Sequence, residues 1–291
     1  MNRPRLLPKR AGLGGSVALT VACGVGFVTV YALTVRTAPG RQFGDASLRG
    51  ALLTRSGVAA AVDTVLGVVS VAALLGGITV VAMVALARLQ RVPGGVAVGL
   101  VLAANASTWL LKNHLLSRPD LGLSEVTPAT LNSLPSGHTT AVFSIAVAML
   151  FVVPPRWRRT VAFAGGAASI VLALATMSAG WHRAGDSIAA FALVGAWAGL
   201  GALVVTALDA EVSRGVHRNG TDFLSRRWLV ALTAGTGGVA ACLAAGLVLI
   251  PVLRASAVGA MAAFLAGALL IVAAAVAVLI GVQSVLAGAG R

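Results

Sequence analysis

A chain of 291 residues that is 58% hydrophobic and only 10% charged does not read as a water-soluble domain, which carries far more charge. The formal net charge of +14 would suggest nucleic acid in a soluble protein. Here the cations sit between apolar runs and aromatic residues make up only 5%, so the positive-inside rule explains them and nucleic acid is not an expected partner.

The apolar runs are continuous and about 20 residues or longer, the length that crosses a bilayer as a helix. They do not alternate, which argues against a β-barrel. The expected fold is all-α, a polytopic bundle of about eight transmembrane helices.

In chain order, Arg3, Arg5, Lys9 and Arg10 precede a first run over 13–35. That run is too long for a signal-peptide core and reads as an uncleaved span with a cytoplasmic N-terminus. Residues 36–57 form a polar stretch with four arginines, read as a loop with room for a short interfacial helix. The second run, 58–87, is longer than a bilayer needs, so Asp63 near its start reads as a headgroup-level residue rather than a buried site. Further runs follow at 96–116, 136–153, 161–179 and 184–208. A basic connection over 209–227 leads to two last runs, 228–252 and 257–286. Residues 1–208 are expected to hold the functional core, with 209–291 adding a cytoplasmic loop and two extra spans.

Alternation across eight spans places fourteen of the 22 Lys and Arg residues inside. Eight fall outside: Arg36, Arg41, Arg49, Arg55, Lys112, Arg118, Arg183 and Arg254. The bias supports a cytoplasmic membrane protein with both termini cytoplasmic. The arginines of 36–55 read as interfacial anchors. The abundance of Ala, Gly and Val, with arginine far above lysine, suggests a GC-rich bacterial genome.

Cys23 and Cys242 lie in apolar runs and read as buried free thiols. With four histidines, no CxxC and few carboxylates, no metal site and no cofactor is expected.

The chemistry concentrates in one block. Lys112, Arg118 and Pro119 close the third run, Pro135-Ser136-Gly137-His138 opens the fourth, and His182 and Asp186 lie between the fifth and sixth. By parity all three groups reach the same, outer face. Pro135 suits a first helical turn, Ser136 can cap it, and Gly137 leaves room at the backbone. The free amides of that turn then form an anion site. His182 and Asp186, four apart, share a helix face, where a carboxylate fixes the imidazole tautomer and leaves the other nitrogen nucleophilic. Two histidines, two helix starts and several cations describe phosphoryl transfer through a phosphohistidine, without a metal.

Lys112 with Arg118-Pro119, then Pro135-Ser136-Gly137-His138, then His182…Asp186 resemble the type 2 phosphatidic acid phosphatase superfamily over about residues 96–208. The resemblance implies a six-helix phosphatase core and a metal-independent mechanism. It implies His182 as nucleophile, Asp186 as its partner and His138 as general acid, with Lys112, Arg118, Ser136 and Gly137 holding phosphate.

The chain departs from the family pattern twice. Five residues separate Lys112 from Arg118 where the family has six, a shift of about 100° on a continuous helix. The family's Ser-Arg pair falls on Ala175-Thr176, so one phosphate-binding arginine is missing, and Arg183 is the expected replacement.

The expectation is a membrane phosphatase acting on a lipid phosphate or polyprenyl (di)phosphate at the outer face, with a role in the cell envelope. Alternatives are a lipid phosphotransferase, or a non-catalytic lipid-binding or transport protein on a degenerate phosphatase core.

Overall fold

In lipid every backbone polar group must be satisfied within its own segment, so apolar runs of this length fold as helices. The computed structural model describes residues 7–68, 71–123, 132–208 and 223–288, and among them there is helix and no strand. The helices are α1 (Leu7–Arg36), α2 (Ala38–Val68), α3 (Val71–Ala87), α4 (Arg91–Leu110), α5 (Gly137–Val152), α6 (Pro155–Ser178), α7 (Ala184–Leu208), α8 (Phe223–Leu249), the short α9 (Pro251–Ala255) and α10 (Ala257–Gly288). A π turn, Leu111–Leu115, extends α4. The connection over 209–222, with Arg214 and Arg218, and the extreme N-terminal arginines lie outside the described residues.

Among the described residues, five helices are long and apolar enough to cross a membrane: Leu13–Arg36, Arg91–Leu115, Pro155–Ser178, Ala184–Leu208 and Ala257–Ala287. The bent pair α2–α3 makes a sixth if counted as one span. Gly137–Val152 and Thr233–Leu249 are shorter apolar helices, at the places of the fourth and seventh expected spans. The molecule is an all-helical, multi-pass bundle.

α7 is its axis. It runs antiparallel to α1: Gly185 meets Thr34, Gly195 meets Cys23, and Gly199 meets Thr20 and Ser16. A Cβ at Gly199 would stand 2.8 Å from the Thr20 amide nitrogen and 2.9 Å from the Ser16 carbonyl oxygen. Small residues here let two backbones touch, the usual way helices pack in lipid. α4, α5 and α10 close around the other sides of α7, and Phe143 of α5 packs edge-on against Phe191 of α7 at 4.6 Å.

The expected second span is corrected. Residues 38–57 are not a loop. They begin a 31-residue helix, α2, which runs on to Val68 and is bent by 56° from α3. Its contacts stay at one end of the bundle. Arg41 meets Pro119, Gly44 meets Arg183, Gly50 meets the Ala260 carbonyl, and Val62 and Leu66 cluster with Leu172, Ala175 and Ala179. Only α3 descends to the other end, where Arg88 donates to the Val152 carbonyl. The stretch misleads because some of its polar residues, Arg41, Asp45 and Ser47, turn inward while Arg55 stays exposed. Arg41, Asp45 and Leu48 recur at helical spacing and are all buried.

Pro135 is likewise corrected: it precedes the cap, because α5 begins at Gly137 with Ser136 as N-cap. Of the two thiols, Cys23 is buried and Cys242 is exposed. Asp63 lies on the exposed side of α2.

Candidate active site

The site forms where α6 ends and α7 begins. α6 stops at a Schellman turn: Gly180 (φ +81°) donates to the Met177 carbonyl and Trp181 to the Thr176 carbonyl, at 3.0 Å each. A left-handed residue is required at that position, and glycine takes it without strain. The turn reverses the chain so that Trp181 and His182 sit at the bundle's end.

Asp186, in the first turn of α7, then reaches back. Its Oδ2 accepts from His182 Nδ1 at 3.0 Å and from the Arg183 amide at 3.1 Å. With Nδ1–H directed at the carboxylate, Nε2 carries the lone pair. His182 and Asp186 are 6% and 3% exposed, so this pair is shielded from water.

α5 delivers the second imidazole. Ser136 caps the helix, its Oγ accepting from the Thr139 amide at 3.4 Å, while its own amide donates to the Asp186 carbonyl at 3.0 Å. Thr139 and Ser187 share a hydrogen bond of 3.2 Å between hydroxyls. The first turns of α5 and α7 are thereby stitched together. With the Ser136 and Thr139 amides engaged, the helix itself offers no acceptor to the Gly137 and His138 amides. No atom lies within 4 Å of where a Gly137 side chain would begin. The ring of His138 stands 6.3 Å from that of His182, centroid to centroid, and 5.5 Å from that of Trp181. The two imidazoles therefore lie close together at the N-terminus of α5, with the open position at Gly137 next in the chain to His138.

The cations come from three directions. Lys112, half-buried in the π turn, acts electrostatically on both Asp186 and His138. That turn also bears on the short Lys112–Arg118 spacing. The Leu116 amide bonds to the Leu111 carbonyl, and the chain is extended from Leu116 onward, so no continuous α-helix links the two cations. Arg118 is pinned through its neighbours. Tyr31 and Arg36 of α1 bond the Ser117 carbonyl and hydroxyl at 2.7 and 3.2 Å, and Arg41 of α2 bonds the Pro119 carbonyl at 2.6 Å.

Arg183 is 8% exposed, with its side chain against Gly44 and its guanidinium 3.9 Å from the Asp45 carboxylate. Thr176 is fully buried, its hydroxyl bonded back to the Ala173 carbonyl.

Sequence reasoning missed Asp45, the carboxylate that meets Arg183, and Trp181, the ring beside His138. Asp45 is the single acidic residue among the four arginines of 36–55, which was the available signal; nothing in the sequence pairs it with residue 183. His114 is outside this group: it is exposed and packs on Trp109 at 4.8 Å. Among the described residues, no cluster of three or more His, Cys, Asp or Glu side chains could hold a metal ion.

Residues 93–209 match the family model of the PAP2 superfamily. The match runs from the first turn of α4 to the end of α7, containing both histidines and leaving α1–α3 and α8–α10 outside. No curated protein and no solved structure matches the chain.

Proposed function

We propose that this PAP2-superfamily domain makes the protein an integral membrane hydrolase that releases phosphate from a lipid phosphate or polyprenyl (di)phosphate. Its site lies at the extracytoplasmic face of a bacterial cytoplasmic membrane, with both termini cytoplasmic. The observation that carries the reading is the carboxylate-held His182 at 3.0 Å from Asp186, with the His138 ring 6.3 Å from it at the start of α5. The catalytic core lies within 1–208, and the helices of 209–291 brace it.

The substrate enters laterally from the bilayer and its phosphate settles between the imidazoles. The Gly137 and His138 amides, the positive end of the α5 dipole, Lys112 and Arg118 neutralise the oxygens that gain charge in the transition state. The lone pair on His182 Nε2 forms an N–P bond as the P–O bond to the leaving group breaks. His138, protonated, gives its proton to the departing oxygen. Asp186 stabilises the cation that develops on His182. Water, deprotonated by His138, then attacks phosphorus, the N–P bond breaks, and phosphate leaves with both histidines restored. Every charge to be stabilised is met by a fixed group of the chain, so the cycle runs without a metal. Arg183 stands in for the arginine replaced by Thr176, entering from the opposite side of the nucleophile.

The test is phosphate release by purified protein in neutral detergent with excess chelator, over a panel of lipid phosphates, for wild type and His182→Ala. Release that persists under chelation and vanishes in the variant is expected. Release unaffected by His182→Ala overturns the mechanism. Phosphate appearing on an added acceptor alcohol instead of in solution replaces hydrolysis by transfer.

A further inference from the structure

Next to the histidine pair, on the far side of Arg183, lies a second charged recess that the phosphoryl-transfer chemistry does not use. It has a volume of about 210 Å³ and is lined by Arg41, Gln42, Asp45 and Arg49 of α2, by Arg254 and its neighbours in α9, and by Leu123. None of its charged residues falls within 93–209, whereas Leu123 does. The charged residues come from a helix read as a loop and from the turn between the last two long helices.

Arg49 Nη1 lies 3.6 Å from Asp45, Arg49 Nη2 donates to the Arg254 carbonyl at 3.3 Å, and Arg254 Nη1 donates to the Val248 carbonyl at 3.2 Å. Arg41 is held from below through Pro119. These bonds orient the guanidiniums, and those named for Arg49 and Arg254 use a minority of the five donors on each. Asp45 also faces Arg183 at 3.9 Å, so its carboxylate meets both Arg49 and Arg183. The guanidiniums of Arg41, Arg49 and Arg254 line one recess beside a low-dielectric bundle, where a positive field draws an anion. Planar arginine forks suit phosphate in particular. The recess is smaller than the roughly 300–1,000 Å³ of a drug-sized ligand site, so it fits a headgroup fragment rather than a whole lipid.

We propose that this recess is a second phosphate-binding site. It holds a phosphate-bearing group beside the scissile phosphate, either the distal phosphate of a lipid diphosphate substrate or the headgroup of a neighbouring anionic lipid. Asp45 is the shared wall: it positions Arg183 toward the reacting phosphate and Arg49 toward the second one. The proposal rests on the lipid-phosphatase reading for its catalytic arm, and a binding arm stands apart from it.

The variants are Arg49→Gln and Arg254→Gln, with Arg254→Lys as the charge-preserving control. The substrates are farnesyl diphosphate and farnesyl monophosphate in neutral micelles, with and without dioleoylphosphatidylglycerol. If the second phosphate belongs to the substrate, each Gln variant raises KM for the diphosphate about tenfold while the monophosphate changes by less than about twofold, and Arg254→Lys restores most of the loss. If it belongs to a neighbouring lipid, phosphatidylglycerol alters monophosphate turnover in wild type, and the Gln variants abolish that response. Unchanged selectivity together with an unchanged lipid response overturns the proposal.

Equilibrium binding of farnesyl diphosphate to the His182→Ala protein, with and without the Gln substitutions, separates the two failures. Weaker binding in the Gln variants alongside an inactive wild type sinks the hydrolase and keeps the recess. Equal binding alongside an active wild type, with no change in selectivity or lipid response, does the reverse. Arg49→Gln serves if Arg254→Gln loosens the α8–α9 turn, which thermal unfolding reports.

Discussion

Asp186 does two jobs with one oxygen. Oδ2 receives both the His182 ring and the Arg183 amide, so the carboxylate orients the imidazole and anchors the turn that presents it. Asp186→Asn keeps an acceptor for the amide but removes the charge and scrambles the tautomer. We expect kcat to fall by about 10²–10⁴-fold with little change in KM, read by steady-state phosphate release. Arg183 meets Asp45 at 3.9 Å, and its buried guanidinium stands beside the His182 turn. Arg183→Ala is expected to slow phosphate release by about 10–100-fold, the loss of one charge-assisted contact in the transition state. An unchanged rate would show that nothing replaces the arginine lost at Thr176. The pairing of His182 with Asp186 and the capping by Ser136 were readable from spacing alone, because each joins residues three or four apart at the start of a helix. Asp45 was not readable: 138 positions separate it from Arg183, and only the folded bundle closes that gap.

At the scale of elements, the contact between α1 and α7 governs how firmly the site end is held. α7 supplies Asp186 at its first turn and the close-packed glycines further along. Gly199→Ala puts a methyl against two backbone atoms of α1 that cannot move aside as a side chain could. A destabilisation of about 1–3 kcal/mol is expected, seen as a lower midpoint of thermal unfolding in detergent. Gly24→Ala, where no atom lies within 4 Å, is the control and should leave the midpoint unchanged. α2 teaches the opposite lesson about reading elements. Its arginines made it look like a solvated loop, yet its charged face turns inward to Pro119, Arg183 and α9. A polar helix that covers a charged site carries the same composition as a loop at a membrane surface.

For the whole molecule, several outward-assigned cations and two inward-assigned ones among the described residues lie at opposite ends. Arg36, Arg41, Arg49, Lys112, Arg183 and Arg254 lie at the end of the bundle that holds the histidine pair. Arg88 and Arg158 bond to the Val152 and Leu286 carbonyls at the other end. Which end faces the cytoplasm is open to direct measurement. In a chain with Cys23 and Cys242 replaced by alanine, Asn113→Cys and Arg156→Cys present exposed thiols at the site end and the far end. A membrane-impermeant maleimide should label Asn113→Cys in intact cells and reach Arg156→Cys only after permeabilisation. The reverse pattern would place the site inside and overturn the orientation.

Much was determined by the chain as text. Hydropathy set the helical, multi-pass class, because lipid permits little else. Local spacing set the capped turn at Ser136 and the pairing of His182 with Asp186, although His182 lies in the turn before α7 rather than on the shared helix face the spacing suggested, and Asp186 reaches back to it from the first turn. The course of α2, the meeting of Asp45 with Arg183, and the recess shared by Arg49 and Arg254 were decided by tertiary structure. Those contacts join segments more than a hundred residues apart, and their geometry exists only once α1, α7 and α10 have packed and fixed where each end of the chain must lie.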